Sequence, residues 1–195
     1  MEQVTIDSPD LTAAKVRLTD RLLLVASVYV PGGDPRALRS TCSKLRSAIT
    51  EVRRNASTVV EVAIVGDFNQ HDQLWGGDDV TFGRQGEADP VIDLMSECSL
   101  NSLLPRGTKT WHNGEHNTTI DLVLASEGLR ESTIKCGIYD TEHGSDHCTI
   151  DTTFDISTPV PLYQERLLFK NAPWKDIRTR IANRLGAGRF TGTVQ

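Results

Sequence analysis

Asp67 and Asn69 stand two residues apart at the end of the apolar run VVEVAIVGDFN, residues 59–69. In an extended chain alternate residues share a face, so both can look at one reaction centre while Phe68 turns back toward the core. Asp121 interrupts the apolar stretch TTIDLVLA, residues 118–125, where a carboxylate needs a partner. Asp146 and His147 stand at the start of a further extended stretch, 146–154, and each of these positions borders a polar loop. Carboxylates gathered from separate strands can bind a hard divalent cation through oxygen, Mg²⁺ or Mn²⁺ in its place. With a histidine beside them, such a set can polarise a phosphodiester. Each piece alone is weak, because Gly, Asp and Asn are also ordinary turn residues. The joint pattern carries the reading.

The elements that must position these residues are legible from periodicity. Residues 21–30, RLLLVASVYV, form a buried strand stopped by Pro31-Gly32-Gly33. Asp34 can cap a following helix with Pro35 in its first position, and Leu38, Cys42, Leu45, Ile49 and Val52 recur along one face. That helix leads into the strand at 59–69, which makes a crossover unit with the two strands parallel and neighbouring. Before it lie short extended segments at 4–6 and 14–18. After it, residues 70–87 read as a polar loop, and 89–98 as a helix burying Val91, Leu94, Met95 and Cys98. A loop is expected at 112–117, and a weaker strand at 134–138. The fold class implied is α/β.

The net charge of −5 argues against bulk attraction to nucleic acid or an acidic membrane, although clustered metal-binding carboxylates would lower it in any case. No apolar run reaches the length of about 18 residues that spans a bilayer, and the start MEQVTIDSPD lacks the basic and apolar regions of a signal peptide. An intracellular setting is expected, without membrane association. The four cysteines form no CxxC pair, so they are read as structural in a reducing compartment. Beyond residue 156 the texture changes: 157–167 reads as a linker, and Trp174, Ile177, Ile181 and Leu185 trace one face of a helix behind Pro173. Its surroundings, with Arg166, Lys170, Lys175, Arg178, Arg180, Arg184 and Arg189, are the basic part of the chain. The expected division is therefore 1–156 and 157–195.

Gly66-Asp67-Phe68-Asn69, Ile120-Asp121 preceded by Thr118-Thr119, and Ser145-Asp146-His147, in that order, resemble the signature of the endonuclease/exonuclease/phosphatase superfamily. The segments GDFNQHDQLWGG, GTKTWHNGEHNTTIDLVLAS and GSDH most resemble the endonuclease domains of non-LTR, LINE-like retrotransposons, which nick target DNA to prime reverse transcription. The tail FKNAPWKDIRTRI is similar to the segment between such an endonuclease and its reverse transcriptase.

The resemblance implies a four-layer α/β sandwich, two packed mixed sheets flanked by helices. It also implies Mg²⁺-dependent cleavage of DNA, a reverse transcriptase domain in a full-length relative, and the nucleus as the setting if genomic DNA is the target. By the same resemblance, Asp67 acts on the attacking water with Asn69 beside it, and His147 stabilises the phosphoryl oxygens in an orientation set by Asp121. Asp146 contributes to metal binding, and Tyr29 contacts the phosphate, although a tyrosine at a strand end also serves as a boundary between core and water. His71 and Trp75 contact DNA or order their loop, and Thr110, like Trp111, touches substrate or buttresses the site.

A phosphatase of the same superfamily and a non-catalytic binding module remain as alternatives. The superfamily fold begins with strands bearing an Asn and then a Glu that ligates metal, and Met1 enters downstream of both. Glu2, at a terminus that frays, does not replace the Glu. The expectation is an N-terminally truncated domain of weak or no activity. Its open sheet edge would be a site of self-association.

Overall fold

The computed structural model describes residues 1–84, 86–141, 143–156 and 172–186, without the side chains of 184–186. The chain divides into two compact units, Met1–Pro159 and Val160–Gln195. In the first, β1 (Glu2–Val4), β2 (Leu11–Arg17) and β3 (Leu22–Tyr29) lead to the long helix α1 (Pro35–Asn55), which returns the chain to β4 (Val60–Asp67). A short helix α2 (Gln73–Gly76) and a single 3₁₀ turn (Phe82–Arg84) precede α3 (Asp89–Cys98). Then come β5 (Leu100–Ser102), β6 (Trp111–Asn113), β7 (His116–Thr118), β8 (Asp121–Ser126), α4 (Glu127–Glu131), β9 (Thr133–Ile138) and β10 (Ile150–Phe154). The second unit contributes α5 (Trp174–Gly186).

Three sheets result, in a mixed α/β arrangement. The largest has six strands in the order β1-β2-β3-β4-β8-β5, and β9 with β10, and β6 with β7, form two-stranded antiparallel ribbons. Within the large sheet β3 and β4 pair in parallel, as the intervening helix requires, and β4 pairs antiparallel with β8. Asp34 caps α1 as its sequence suggests, its carboxylate accepting from the Arg36 and Ala37 amides.

The alternation of side chains sorts the sheet into two faces. Leu24, Ala26 and Val28 of β3, Val62 and Ile64 of β4, and Leu122 and Leu124 of β8 join the large core with Leu38, Cys42, Leu45 and Ile49 of α1 and Val91, Leu94 and Cys98 of α3. Leu23, Ala63 and Ala125 point the other way, into a smaller cluster with Leu18 and Leu129 that Phe154 and Ile156 cover.

Three expectations need revision. The segment 112–117 is a β-hairpin instead of a loop. Gly114, with φ of +60°, takes the first of its two turn positions, which a primed hairpin turn reserves for glycine. β8 starts at Asp121, three residues later than its apolar run suggests, because Thr118 belongs to β7. The last strand starts at Ile150, since residues 146–148 pair instead with the stretch around Trp111. Residues 100–102, to which the sequence pattern assigned no element, add the edge strand β5.

The linker at 157–167 and Arg166, Lys170 and Arg189 lie outside the described residues, as do the side chains of Arg184 and Leu185. Trp174 and Ile181 of α5 are exposed. Among the described residues no helix is long and apolar enough to cross a membrane.

One glycine is required by close approach. A Cβ on Gly66, at φ +143°, would stand 1.9 Å from the Val28 carbonyl oxygen, whereas one on Gly33, at φ +70°, would meet nothing within 4 Å. Gly33→Ala therefore carries only the left-handed backbone cost, about 1–2 kcal/mol. Gly66→Ala must also part β3 from β4. Urea denaturation of both variants checks this: Gly66→Ala is expected to lose at least twice the stability that Gly33→Ala loses, and equal losses would refute the close approach.

Candidate active site

The register of the large sheet lays three of the chemically able residues in a row. Tyr29 of β3 pairs with Asp67 of β4, and Asp67 pairs with Asp121 of β8. All three lie at odd positions, the parity of Leu23, Ala63 and Ala125, so they continue the face of the smaller cluster at the strand ends. Beyond Asp67 the Phe68 amide donates to the Ile120 carbonyl, and the Phe68 ring is fully buried. Asn69 then turns the chain at φ +49°, a left-handed conformation that Asn tolerates. Its backbone amide donates to Asp67 Oδ1 at 2.8 Å, and its Nδ2 donates to Asp67 Oδ2 at 2.7 Å and to the Val30 carbonyl at 3.0 Å. Both Asp67 oxygens are thus held from one side.

His147 arrives from a different part of the chain. The His112 amide donates to the Asp146 carbonyl and the Cys148 amide to the Thr110 carbonyl, which fastens residues 146–148 alongside 110–112. Trp111 and His147 form the bridge between them. Thr110 ties this stretch to the row, since its Oγ1 accepts from the amides of Ile120 and Asp121, each at 3.1 Å. The imidazole Nδ1 then sits 3.1 and 3.0 Å from the two Asp121 oxygens. One ligand atom from each of Asp67, Asp121 and His147 lies within 4.8 Å of the others, the spacing of a site able to hold a cation.

The electrostatics follow from this crowding. Burial pushes the Asp67 carboxyl up, and the nearby Asp121 charge adds to the effect, while the Asn69 amide and His147 oppose it. For His147 burial works against the charged form. The hydrogen bond and charge of Asp121, with the charges of Asp67 and Asp146, outweigh it, so the imidazole is held above its ordinary value. Burial and the Arg84 charge push His71 down. Asp146 is held low by the hydrogen bond it accepts from the Trp111 indole at 2.9 Å.

An open cleft of about 580 Å³ lies over the row, and its walls include Tyr29, Asp67, Asn69, His71, Arg84 and His147. Among the residues singled out from sequence, two are buried. Trp75 is 1% exposed and donates from its indole to the Gln70 carbonyl, which ties down the loop. Thr110 is completely buried and braces Asp121. Asp146 is exposed, bonded to Trp111, and stands outside the group of Asp67, Asp121 and His147. Sequence reasoning passed over Arg84. It lies in a polar loop with no motif around it, and its place in the cleft comes from the 3₁₀ turn Phe82–Arg84.

The fold matches the endonuclease domain of TRAS1, a telomere-specific non-LTR retrotransposon, with a TM-score of 0.62 and 14% identity over 75% of this chain and 64% of that one. It matches the AP endonuclease LMAP from Leishmania major with a TM-score of 0.62 and 15% identity over 78% of this chain and 56% of that one. The 3′ phosphatase NExo from Neisseria, bound to a product DNA hairpin, gives a TM-score of 0.53 and 17% identity over 76% of this chain and 66% of that one. The chain thus spans 56% to 66% of the lengths of these structures. No curated protein matches it in sequence. The family model described as endonuclease-reverse transcriptase matches residues 23–151, more than half of the chain and the whole of the Tyr29, Asp67, Asp121 and His147 constellation. The chain belongs to the endonuclease-reverse transcriptase family.

Proposed function

We propose that this protein is a divalent-metal-dependent phosphodiesterase that cleaves DNA internally, as a retrotransposon endonuclease does when it nicks its target. The observation that carries the reading is the convergence of Asp67, Asp121 and His147 within 4.8 Å of one another, with Asp67 and His147 lining an open cleft. Two carboxylates supply the oxygen donors that Mg²⁺ or Mn²⁺ prefers, so the residues present fit such an ion. Asp67 and Asp121 would hold it, and Asp146, bonded to Trp111, would steady the loop that delivers His147. When bound, the cation polarises a phosphoryl oxygen and offsets the charge that gathers there.

The chain's own groups do the rest. The Asp67 carboxylate, fixed by two Asn69 donors, holds the attacking water and takes up its proton. His147, whose Nδ1 is engaged by Asp121, keeps Nε2 for the phosphate and in its charged form donates to a phosphoryl oxygen. Tyr29, 49% exposed at the rim, donates its phenol to another oxygen of the same phosphate. Action on genomic DNA would set the protein in the nucleus, with a reverse transcriptase as the partner that uses the nicked end.

Three measurements test this. In a supercoiled-plasmid nicking assay with Mg²⁺, Asp67→Ala and His147→Ala are each expected to lose about 10²-fold or more in rate. Equal residual nicking by all three proteins would leave a non-catalytic binding module as the better reading. By isothermal titration, Asp67→Asn and Asp121→Asn should each weaken Mg²⁺ binding about tenfold or more. Unchanged affinity would remove them as ligands.

Titration of the His147 ring protons by NMR in metal-free protein should give a midpoint above the ordinary value of about 6.5. A raised folded-state value means the stabilisation from this pair is complete below about 6.5 and is lost as pH rises through the folded value. Asp121→Asn removes the hydrogen bond and charge of the partner and leaves burial opposed only by the charges of Asp67 and Asp146, so the midpoint should fall. A wild-type midpoint at or below the ordinary value would contradict the pair.

A further inference from the structure

The candidate active site is a junction of clefts instead of a blind pocket. The cleft over Asp67 and His147, about 580 Å³, adjoins a larger one of about 1150 Å³ along the starts of α1 and α3. A third, of about 420 Å³, lies between residues 76–81 and the β6–β7 hairpin. His71 and Arg84 line all three.

The two differ in what they can offer a ligand. His71 is half-buried, and burial together with the Arg84 charge favours its neutral form. The positive charge at the junction is therefore that of Arg84. Of the other cations along these clefts, Arg46 is paired with Glu97 and Lys109 holds Asp79 at 2.7 Å, while Arg39 lines only the larger cleft, away from the junction. The Arg84 side chain makes no hydrogen bond or ion pair among the described residues. A guanidinium with all its donors open, in the same cleft as the Asp67 and His147 side chains, presents a planar fork that matches the oxygens of a phosphate.

We infer that Arg84 anchors the backbone phosphate next to the one being cleaved, on a nucleic-acid strand that enters the junction by one cleft and leaves by another. The inference rests on the phosphodiester reading of the Asp67 site. It adds the path of the substrate and the residue on which that path turns. A small phosphoester would have no use for a second phosphate contact or for two exits. A polymer needs both.

The test is fluorescence anisotropy of the full chain in EDTA with a labelled DNA duplex of mixed sequence, across a salt series, for the wild type, Arg84→Ala, Arg84→Lys and Arg39→Ala. Arg39 lines only the larger cleft and serves as the comparison. Arg84→Ala is expected to bind about tenfold more weakly near 0.1 M salt, with a log–log salt slope shallower by about 0.9, the loss of one phosphate contact. Arg84→Lys should restore the slope without the full affinity, and Arg39→Ala should change both less.

The same affinity and slope in Arg84→Ala, an effect as large in Arg39→Ala, or no DNA binding by the wild type would each overturn the inference. The nicking assay separates the two claims. An Arg84-independent slope in a protein that nicks overturns the anchor and leaves the phosphodiesterase reading. An Arg84-dependent slope in a protein that does not nick overturns that reading and leaves the phosphate anchor standing.

Discussion

The parallel pairing of β3 with β4 is the constraint on which the rest of the site depends. It sets Tyr29 beside Asp67, and because β4 also pairs with β8, the same register brings Asp121 into line. The pairing is close enough at one point, Gly66 against the Val28 carbonyl, that no side chain fits between the strands. A slip of one residue in either pairing would turn a carboxylate to the opposite face of the sheet. Without the register, Asp67 and Asp121 would be two unrelated acids on neighbouring strands.

His147 is held by a different kind of interaction. Its place depends on backbone bonds between residues 146–148 and 110–112, and on Thr110, whose hydroxyl also receives the Asp121 amide. One buried threonine therefore couples the position of the imidazole to that of its carboxylate partner. The arrangement keeps a histidine and an aspartate from distant segments within hydrogen-bond reach without any direct covalent neighbourhood.

The parts legible in the sequence are those governed by local periodicity. The apolar stripe Leu38, Cys42, Leu45, Ile49 and Val52 marks α1, and Asp34 marks its start, because helix packing and capping leave local signatures. Asp67, Asn69, Asp121 and His147 were readable through the strands and polar loops around them and through the order of their motifs, which no single residue reveals. What escaped depended on pairing between distant segments. The start of β10 was misplaced because residues 146–148 bond to 110–112, a fact no window around His147 contains. For Trp75 and Thr110 the sequence left open whether they contact substrate or order the site, because their burial comes from tertiary packing. Arg84 carried no local signal, since an arginine in a Gly- and Asp-rich loop reads as solvated until the fold turns it toward a cleft.

The two faces of the large sheet are unequally supported. One carries the extensive core under α1 and α3. The other, on which the row of site residues stands, has among the described residues the smaller cluster of Leu18, Leu23, Ala63, Ala125 and Leu129, packed by Val16, Val25, Leu103, Phe154 and Ile156. His147 lies in the connection between β9 and β10, and that ribbon depends on this thinner contact. Local opening takes place where buried apolar contact is sparse, at a free energy below that of global unfolding. On warming, the imidazole should therefore part from the strand-end carboxylates while the main sheet and its helices remain intact. Loss of function would then precede loss of secondary structure, and the ceiling on working temperature would be set by a two-stranded ribbon instead of by the core.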